Sequence, residues 1–459
     1  MKITSIEIDE YRQFKNIKFD FTYPEEHPKA GQPLEKVCFM GQSGTGKTTL
    51  LNIIWDFFQI VNDGYQISNK NFSISSVSHY DTFKASVSVN ALISDQEISF
   101  NTQFLRKPTD SYVNNDKDIA GSSWDWIQAQ PQNIYDYIKS QNKLCLYIDD
   151  FALNHAYNLT ANRNEDNKPY IASTDEIILN KEKKQDYIDR LSQSKIMALQ
   201  SWDRNYLWQY LLNDLERYDE SLKKVAIDLI QKNGSFSPNR LAESLNNWQR
   251  KNPNPKIDIA VKCLNPILTN FFLEVDTEGT EALIVIKTKT GKQLSYNGIS
   301  TGTKQVLVTA IPIYKSQIGR GIILFDEPEH SLFPDIQKKL VDYYISLAPK
   351  AQFFFATHSP IIAASFEPYE RFILNFNEAG EVQVRRGVAP VGDDPNDVLR
   401  QDFGISPLMQ DKGLEEYQRY LDLATEIRNE TDKKRKMQLI SERAKLGNLY
   451  NFPTLDEAN

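Results

Sequence analysis

Gly41-Gln42-Ser43-Gly44-Thr45-Gly46-Lys47-Thr48 is the stretch that decides the fold of this chain. It has the G-x-x-x-x-G-K-[ST] spacing. It follows the apolar run Val37 to Met40 and precedes Thr49-Leu50-Leu51-Asn52-Ile53-Ile54-Trp55, which reads as an amphipathic or buried helix. A strand, a glycine loop and a helix start, in that order, make a phosphate cradle. The glycines let successive backbone N–H groups turn inward, and the helix N-terminus adds its positive end. In that setting Lys47 reaches the β- and γ-phosphates and the Thr48 hydroxyl ligands Mg²⁺. Gly41 to Gly46 and Thr49 complete the expected ATP-binding set.

Far downstream, Ile322-Ile323-Leu324-Phe325 is an unbroken apolar run that ends in Asp326-Glu327. A strand buried on both faces of a parallel sheet reads this way. Ligands of open α/β sheets gather at the carboxyl ends of the strands, where these two acids fall. Asp326 is expected to hold Mg²⁺, directly or through water, and Glu327 to polarise the attacking water. Two more segments belong to the set, Ile299-Ser300-Thr301-Gly302-Thr303-Lys304-Gln305 and the short apolar strand Ala351 to Ala356 followed by Thr357-His358-Ser359-Pro360.

With Asp326-Glu327-Pro328-Glu329-His330 added, the chain resembles the ABC-type ATPases of the SMC and RecF class. More narrowly it resembles the overcoming-lysogenization-like and anti-phage defence ATPases. The resemblance implies an α/β fold: an ABC-type P-loop core with a flanking antiparallel sheet, an inserted helical lid and a C-terminal helical extension. It also implies that a signature motif from one protomer closes over the γ-phosphate held by the other. Ser300 to Gln305 stands at the signature position. It departs from the transporter form Leu-Ser-Gly-Gly-Gln, because Thr301 replaces a glycine and Thr303-Lys304 precedes the glutamine. Ser300 and the backbone near Gly302 still suit an anion at a helix start. His358 matches the family's switch histidine, which contacts the γ-phosphate and the water-positioning glutamate. His330 to Pro334 resembles the loop that crosses the dimer interface.

The resemblance extends to both ends. Ile3 to Ile8 alternates like an edge strand. Tyr11-Arg12-Gln13-Phe14-Lys15 follows, as the aromatic and basic stretch does in SMC and RecF-like proteins. Arg12 and Lys15 read equally as nucleotide contacts and as solvated charges. Asp394 to Gly404 resembles a passage in the ATPases of the Septu and PARIS defence systems. Gln59 and Gln66 both stand as candidates for the Mg²⁺-sensing glutamine.

Composition narrows the partners. The net charge of −8 supplies no global basic field for nucleic acid. The Lys181–Lys184 and Lys433–Lys436 runs read as solvated helix faces. Cys38, Cys145 and Cys263 lack metal-ligand spacing, and His27, His79, His155, His330 and His358 show no nuclease-like metal pattern. No apolar leader or membrane span is visible, so the expected location is the cytoplasm.

The organisation expected is an N-terminal ATPase lobe over 1–106, an inserted, mainly helical lid over 107–265, a C-terminal ATPase lobe over 266–392 and a helical region over 393–459. Lys84 to Ile93 and Ile98 to Phe104 read as a hairpin, Phe271 to Asp276 and Ala282 to Thr288 as a second, and Leu144 to Ile148 as a core strand. Gln185 to Lys232 reads as helical throughout, with Trp202, Tyr206 and Trp208 as aromatics for a partner or a base. Leu414 to Leu446 reads as one or two charged helices. The expected function is an ATP-hydrolysing sensor or scaffold. It would assemble with itself, use ATP and Mg²⁺, and control a separately encoded nuclease effector. A RecF-like repair ATPase that binds DNA directly is the alternative.

Overall fold

The chain opens with a hairpin of β1 (Lys2–Tyr11) and β2 (Phe14–Asp20), then runs through β3 (Lys36–Gly41) into α1 (Lys47–Ser68). A second hairpin, β4 (Ser86–Ile93) and β5 (Gln96–Asn101), precedes α2 (Gln132–Ser140), β6 (Cys145–Ile148) and β7 (Ile196–Ala198). Helices α3 (Arg204–Asn233) and α4 (Pro238–Lys251) lead to a small hairpin, β8 (Leu273–Val275) and β9 (Ile286–Thr288). Then come α5 (Thr301–Lys315), β10 (Ile322–Asp326), α6 (Pro334–Leu347), β11 (Gln352–Ala356), β12 (Arg371–Phe376) and β13 (Val382–Arg386). This computed structural model describes residues 1–68, 86–93, 96–101, 132–149, 189–199, 204–233, 238–278, 284–295, 298–405 and 408–452. Its contacts divide the chain into two units, Met1–Asp394 and Pro395–Asn459.

In the first unit the strands form a seven-stranded sheet of order β13-β12-β3-β11-β10-β6-β7 and a four-stranded sheet of order β2-β1-β4-β5. All neighbours in the large sheet are parallel except β13, which pairs antiparallel with β12 at one edge. The small sheet is antiparallel throughout. Helix α1 explains how the two meet. Leu50, Leu51, Ile53, Ile54, Phe57, Phe58, Ile60 and Val61 are all buried, which covers far more than one helical stripe. The helix lies between the sheets: Trp55 meets Tyr147 of β6 at 5.7 Å and Phe57 meets Phe100 of β5 at 5.6 Å. On the opposite face of the large sheet, Phe325 of β10 packs on Tyr344 of α6 at 4.9 Å. The Tyr344 hydroxyl is hydrogen bonded to Thr309 of α5 at 2.7 Å.

One buried polar side chain welds the sheets. The Gln352 Oε1 accepts from Ile3 N–H at 2.7 Å, and its Nε2 donates to the carbonyls of Ile3 (3.0 Å) and Leu34 (2.9 Å). A fully buried amide is tolerated because its donor and acceptor are both paired.

Both expected hairpins form, with Ile93 opposite Gln96 and Val275 opposite Ile286. Two expectations are corrected. β1 is not an edge strand, because β4 pairs along its second side. Its alternation records one face turned to the core. Gln185 to Lys232 is not helical throughout: Ile196–Ala198 is β7, parallel to β6, and Leu199 N–H donates to the Tyr147 carbonyl at 3.0 Å. Both β6 and β7 therefore fall inside 107–265 yet belong to the core sheet. Trp202 lies outside the described residues, as do the side chains of Tyr206 and Trp208.

The second unit begins with a short helix, Pro395–Gln401, and continues as α7 (Asp411–Asn429) and α8 (Lys433–Tyr450). Leu414 to Leu446 is thus two helices. Tyr420, Leu423, Leu439 and Phe452 form their buried seam, and the Arg443 guanidinium lies over the Tyr420 ring at 4.2 Å. Asp432 caps α8, its carboxylate accepting from the Lys434 and Arg435 N–H groups at 3.3 Å. Among the described residues no helix is long and apolar enough to cross a membrane.

Candidate nucleotide site

Three adjacent parallel strands carry the sequence motifs. Phe39 of β3, Ala356 of β11 and Asp326 of β10 lie level across the sheet. Neighbouring strands stand about 4.8 Å apart, so the ends of β3 and β10 are roughly 10 Å apart with the end of β11 between them. The loops leaving these strands, Gly41–Lys47, Glu327–Leu332 and Thr357–Ser359, therefore emerge at one edge.

The glycine loop is built for close approach. Gly41 has φ +132° and Gly46 +96°, both on the side of the map that side chains disfavour. A Cβ on Gly41 would stand 2.0 Å from the Leu374 carbonyl oxygen of β12, and one on Gly46 would stand 2.4 Å from Gln13 Nε2. Gly41→Ala should therefore cost about 3 kcal/mol or more, since the clash is with backbone and not with a movable side chain. Thermal unfolding of the purified variant checks this; a melting temperature within a degree of wild type contradicts the packing described.

Lys47 folds back onto the loop. Its Nζ donates to the carbonyls of Gly41 (3.1 Å) and Gln42 (2.9 Å), while the Thr45 hydroxyl donates to Gln42 O at 2.7 Å. Burial lowers the ammonium pKa to about 8, against the opposing pull of Asp326, Glu327 and Glu329. Gln42, Ser43, Gly44 and Thr48 are exposed, whereas Thr45 and Thr49 are buried.

Asp326 ends β10 in a buried position. Glu327 takes φ +47°, a left-handed backbone that costs a non-glycine residue about 1–2 kcal/mol. Its N–H donates to the Ala356 carbonyl at 2.8 Å, which anchors the turn. The Glu327 Oε1 stands 3.7 Å from His358 Nε2. Burial, and then the positive charge of Lys47, lower the pKa of His358 against the opposing pull of Glu327, and this favours the neutral imidazole. A carboxylate acceptor beside a neutral imidazole can hold and orient a water molecule.

Ser300 and Gly302 are engaged elsewhere. Ser300 is the N-cap of α5, its Oγ accepting from Thr303 N–H at 3.2 Å. A Cβ on Gly302 would stand 2.8 Å from the Ser331 carbonyl oxygen, so this helix start packs on the loop after β10. Ser300 and Thr301 are exposed there, as is Phe333 at 74 %.

Sequence reasoning missed three residues of this edge. Gln13 donates from Nε2 to the Gly44 carbonyl at 3.0 Å, so the β1–β2 turn touches the glycine loop. Its signal was its place in the Tyr11–Lys15 stretch. Asp149 is a buried acid directly after β6, and Ile148 pairs with Phe325, which brings Asp149 level with Asp326. Its place after an apolar run was the same signal that marked Asp326. Glu329 stood within the Asp326–His330 motif and was given no role there. Lys15 pairs with Glu381 at 3.2 Å on the surface, and the Arg12 guanidinium lies over the Tyr11 ring at 5.2 Å. Gln66 donates to the Gln193 carbonyl at 2.9 Å, and Gln59 is buried in α1.

A glycine loop, a buried lysine, an exposed Thr48 and a buried acid at Asp326 suit a nucleoside triphosphate with Mg²⁺, which takes hydroxyl, carboxylate and phosphate oxygens. The chain thus has an α/β fold with a glycine loop of P-loop spacing at the edge of its largely parallel sheet. The chain belongs to the AAA ATPase domain family, whose profile matches residues 1–363. It is 20 % identical over 404 residues to a protein of Vibrio cholerae serotype O1 biovar El Tor described as the probable ATPase of retron Vc95; the match covers 82 % of this chain and 74 % of that protein. Among solved structures it is similar to the SMC head domain from Thermotoga maritima, at 11 % identity and TM-score 0.38, covering 85 % of this chain and all (100 %) of that one. An SMC head bound to the C-terminal winged-helix domain of ScpA is similar at 11 % identity and TM-score 0.38, covering 85 % and 98 %.

Proposed function

We propose that the chain binds Mg²⁺-ATP on the Gly41–Thr49 loop and hydrolyses it to ADP and phosphate. The observation that carries this reading is the convergence of Lys47, Asp326, Glu327 and His358 at the edge of β3, β10 and β11. Lys47 holds the β- and γ-phosphates, exchanging the carbonyls of Gly41 and Gln42 for phosphate oxygens. Thr48 and Asp326 hold Mg²⁺, which neutralises charge on the phosphates. Glu327 orients the attacking water and accepts its proton. His358 contacts the γ-phosphate and Glu327.

A second copy of the chain completes the site with Ser300 and Gly302. The exposure of Ser300 and Thr301, at a helix start that packs on the loop after β10, supports this head-to-tail arrangement. The assembly acts in the cytoplasm as sensor and scaffold of an anti-phage system, and controls a separate nuclease. The description of one relative as a retron ATPase supports the defence setting.

Purification of the tagged chain from its native genomic neighbourhood, with ATP and Mg²⁺, tests the cellular role. A nuclease at fixed stoichiometry is the expected result. A chain that purifies without a second protein, and whose hydrolysis rises on adding DNA, contradicts it in favour of a RecF-like repair ATPase.

A further inference from the structure

Glu329 stands in the turn after β10, two residues beyond Glu327, and its side chain crosses to the loop after β11. A single oxygen, Oε1, accepts three hydrogen bonds there: from the Thr357 hydroxyl at 2.6 Å, His358 N–H at 2.9 Å and Ser359 N–H at 3.0 Å. Ser359 N–H is shared with Thr357 Oγ1 at 2.9 Å, and the Ser359 hydroxyl donates to Gln337 Oε1 at 2.6 Å. Both backbone amides flanking the His358 Cα are thus fixed by one carboxyl group. The other side of the same turn is tied to α5, where Gln305 Nε2 donates to the Pro328 carbonyl at 2.9 Å. Among the described residues, Oε2 of Glu329 is buried without a hydrogen-bond partner.

We infer that Glu329 is the positioning residue that sets the His358 imidazole against Glu327, a role that rests on the reading of His358 as the γ-phosphate contact. The catalytic glutamate and the clamp on its histidine share one short turn, so the 3.7 Å spacing between Glu327 and His358 is fixed by Glu327-Pro328-Glu329 as a unit. Three accepted bonds define the requirement. Glutamine supplies the same Oε1 acceptor and alanine supplies none. A merely structural residue would lower stability without moving the imidazole selectively.

The test uses Glu329→Ala, Glu329→Gln, His358→Ala and the double variant Glu329→Ala/His358→Ala in the full chain. Histidine-selective ¹³C labelling resolves five imidazoles, and the His358→Ala spectrum identifies the signal of residue 358. Glu329→Ala should shift or broaden that signal and leave the other four in place, whereas Glu329→Gln should restore it. Hydrolysis should fall in Glu329→Ala as far as in His358→Ala, and the double variant should lie within about twofold of either single one, as residues acting through one step do. Glu329→Gln should recover most of the rate. An unmoved His358 signal in Glu329→Ala overturns the inference, as does a double variant whose losses multiply. Wild-type hydrolysis by His358→Ala would instead remove the role given to His358, while the labelled spectra still decide whether Glu329 positions it.

Discussion

Glu327→Gln protein should bind ATP about as tightly as wild type and hydrolyse it roughly 10²- to 10⁴-fold more slowly, the range expected when a general base is removed. Glutamine keeps the size of the side chain, and the backbone at φ +47° remains anchored by the N–H bond to Ala356. In the proposed mechanism, what disappears is the carboxylate that accepts a proton from water beside His358. Binding should be spared because that mechanism assigns the phosphates to the glycine loop and Lys47. Removing a negative charge near Lys47 also lowers the repulsion felt by the triphosphate. Phosphate release under multiple turnover, together with equilibrium binding of ATP, checks both halves. Normal turnover would show that another group performs the task.

Lys47→Ala protein should lose affinity for ATP. A charge-assisted hydrogen bond contributes about 1.5–3 kcal/mol, so ATP should bind roughly ten- to a hundredfold more weakly. The loss is aggravated by Asp326, Glu327 and Glu329, whose charges Lys47 offsets. The same residue predicts a pH dependence. In the free chain, burial holds Lys47 at about 8, so it is partly neutral above that pH. Phosphate oxygens favour the charged form and raise the value on binding. ATP binding should therefore take up a proton above pH 8, and affinity should fall as pH rises through that value. Calorimetry in buffers of different ionisation enthalpy measures the uptake, and Lys47→Ala should abolish it. Equal uptake by the variant would place the titrating group elsewhere.

Much of the core was legible because its signals are local. The glycine spacing, the apolar runs that became β3, β10 and β11, and the acids and histidine at their ends each occupy fewer than ten consecutive residues. Parallel pairing then brings strand ends together without further instruction. What stayed hidden depends on distant partners. Nothing near Gln13 announces that its amide will reach Gly44, and nothing near Glu329 announces the Thr357–Ser359 loop. Ile196-Met197-Ala198 is too short for its period to separate strand from helix, and only the exposed flank of β6 decides it. β1 shows the same limit, since alternation reports one buried face and says nothing of how many sides are paired. Ser300 was legible as a helix start, and its cap on Thr303 is what that residue type does at such a place.

In the proposed function, ATP brings two copies of the chain together over a shared site. Mass measurement in solution of Glu327→Gln protein, in Mg²⁺ with ATP or with ADP, decides this. The single-chain mass of 52.9 kDa is expected with ADP, and twice that mass or a higher multiple with ATP. Adding Ser300→Arg to the same protein should leave ATP bound and prevent the shift. A chain that stays at 52.9 kDa with ATP bound at one molecule per copy would rule out the shared site.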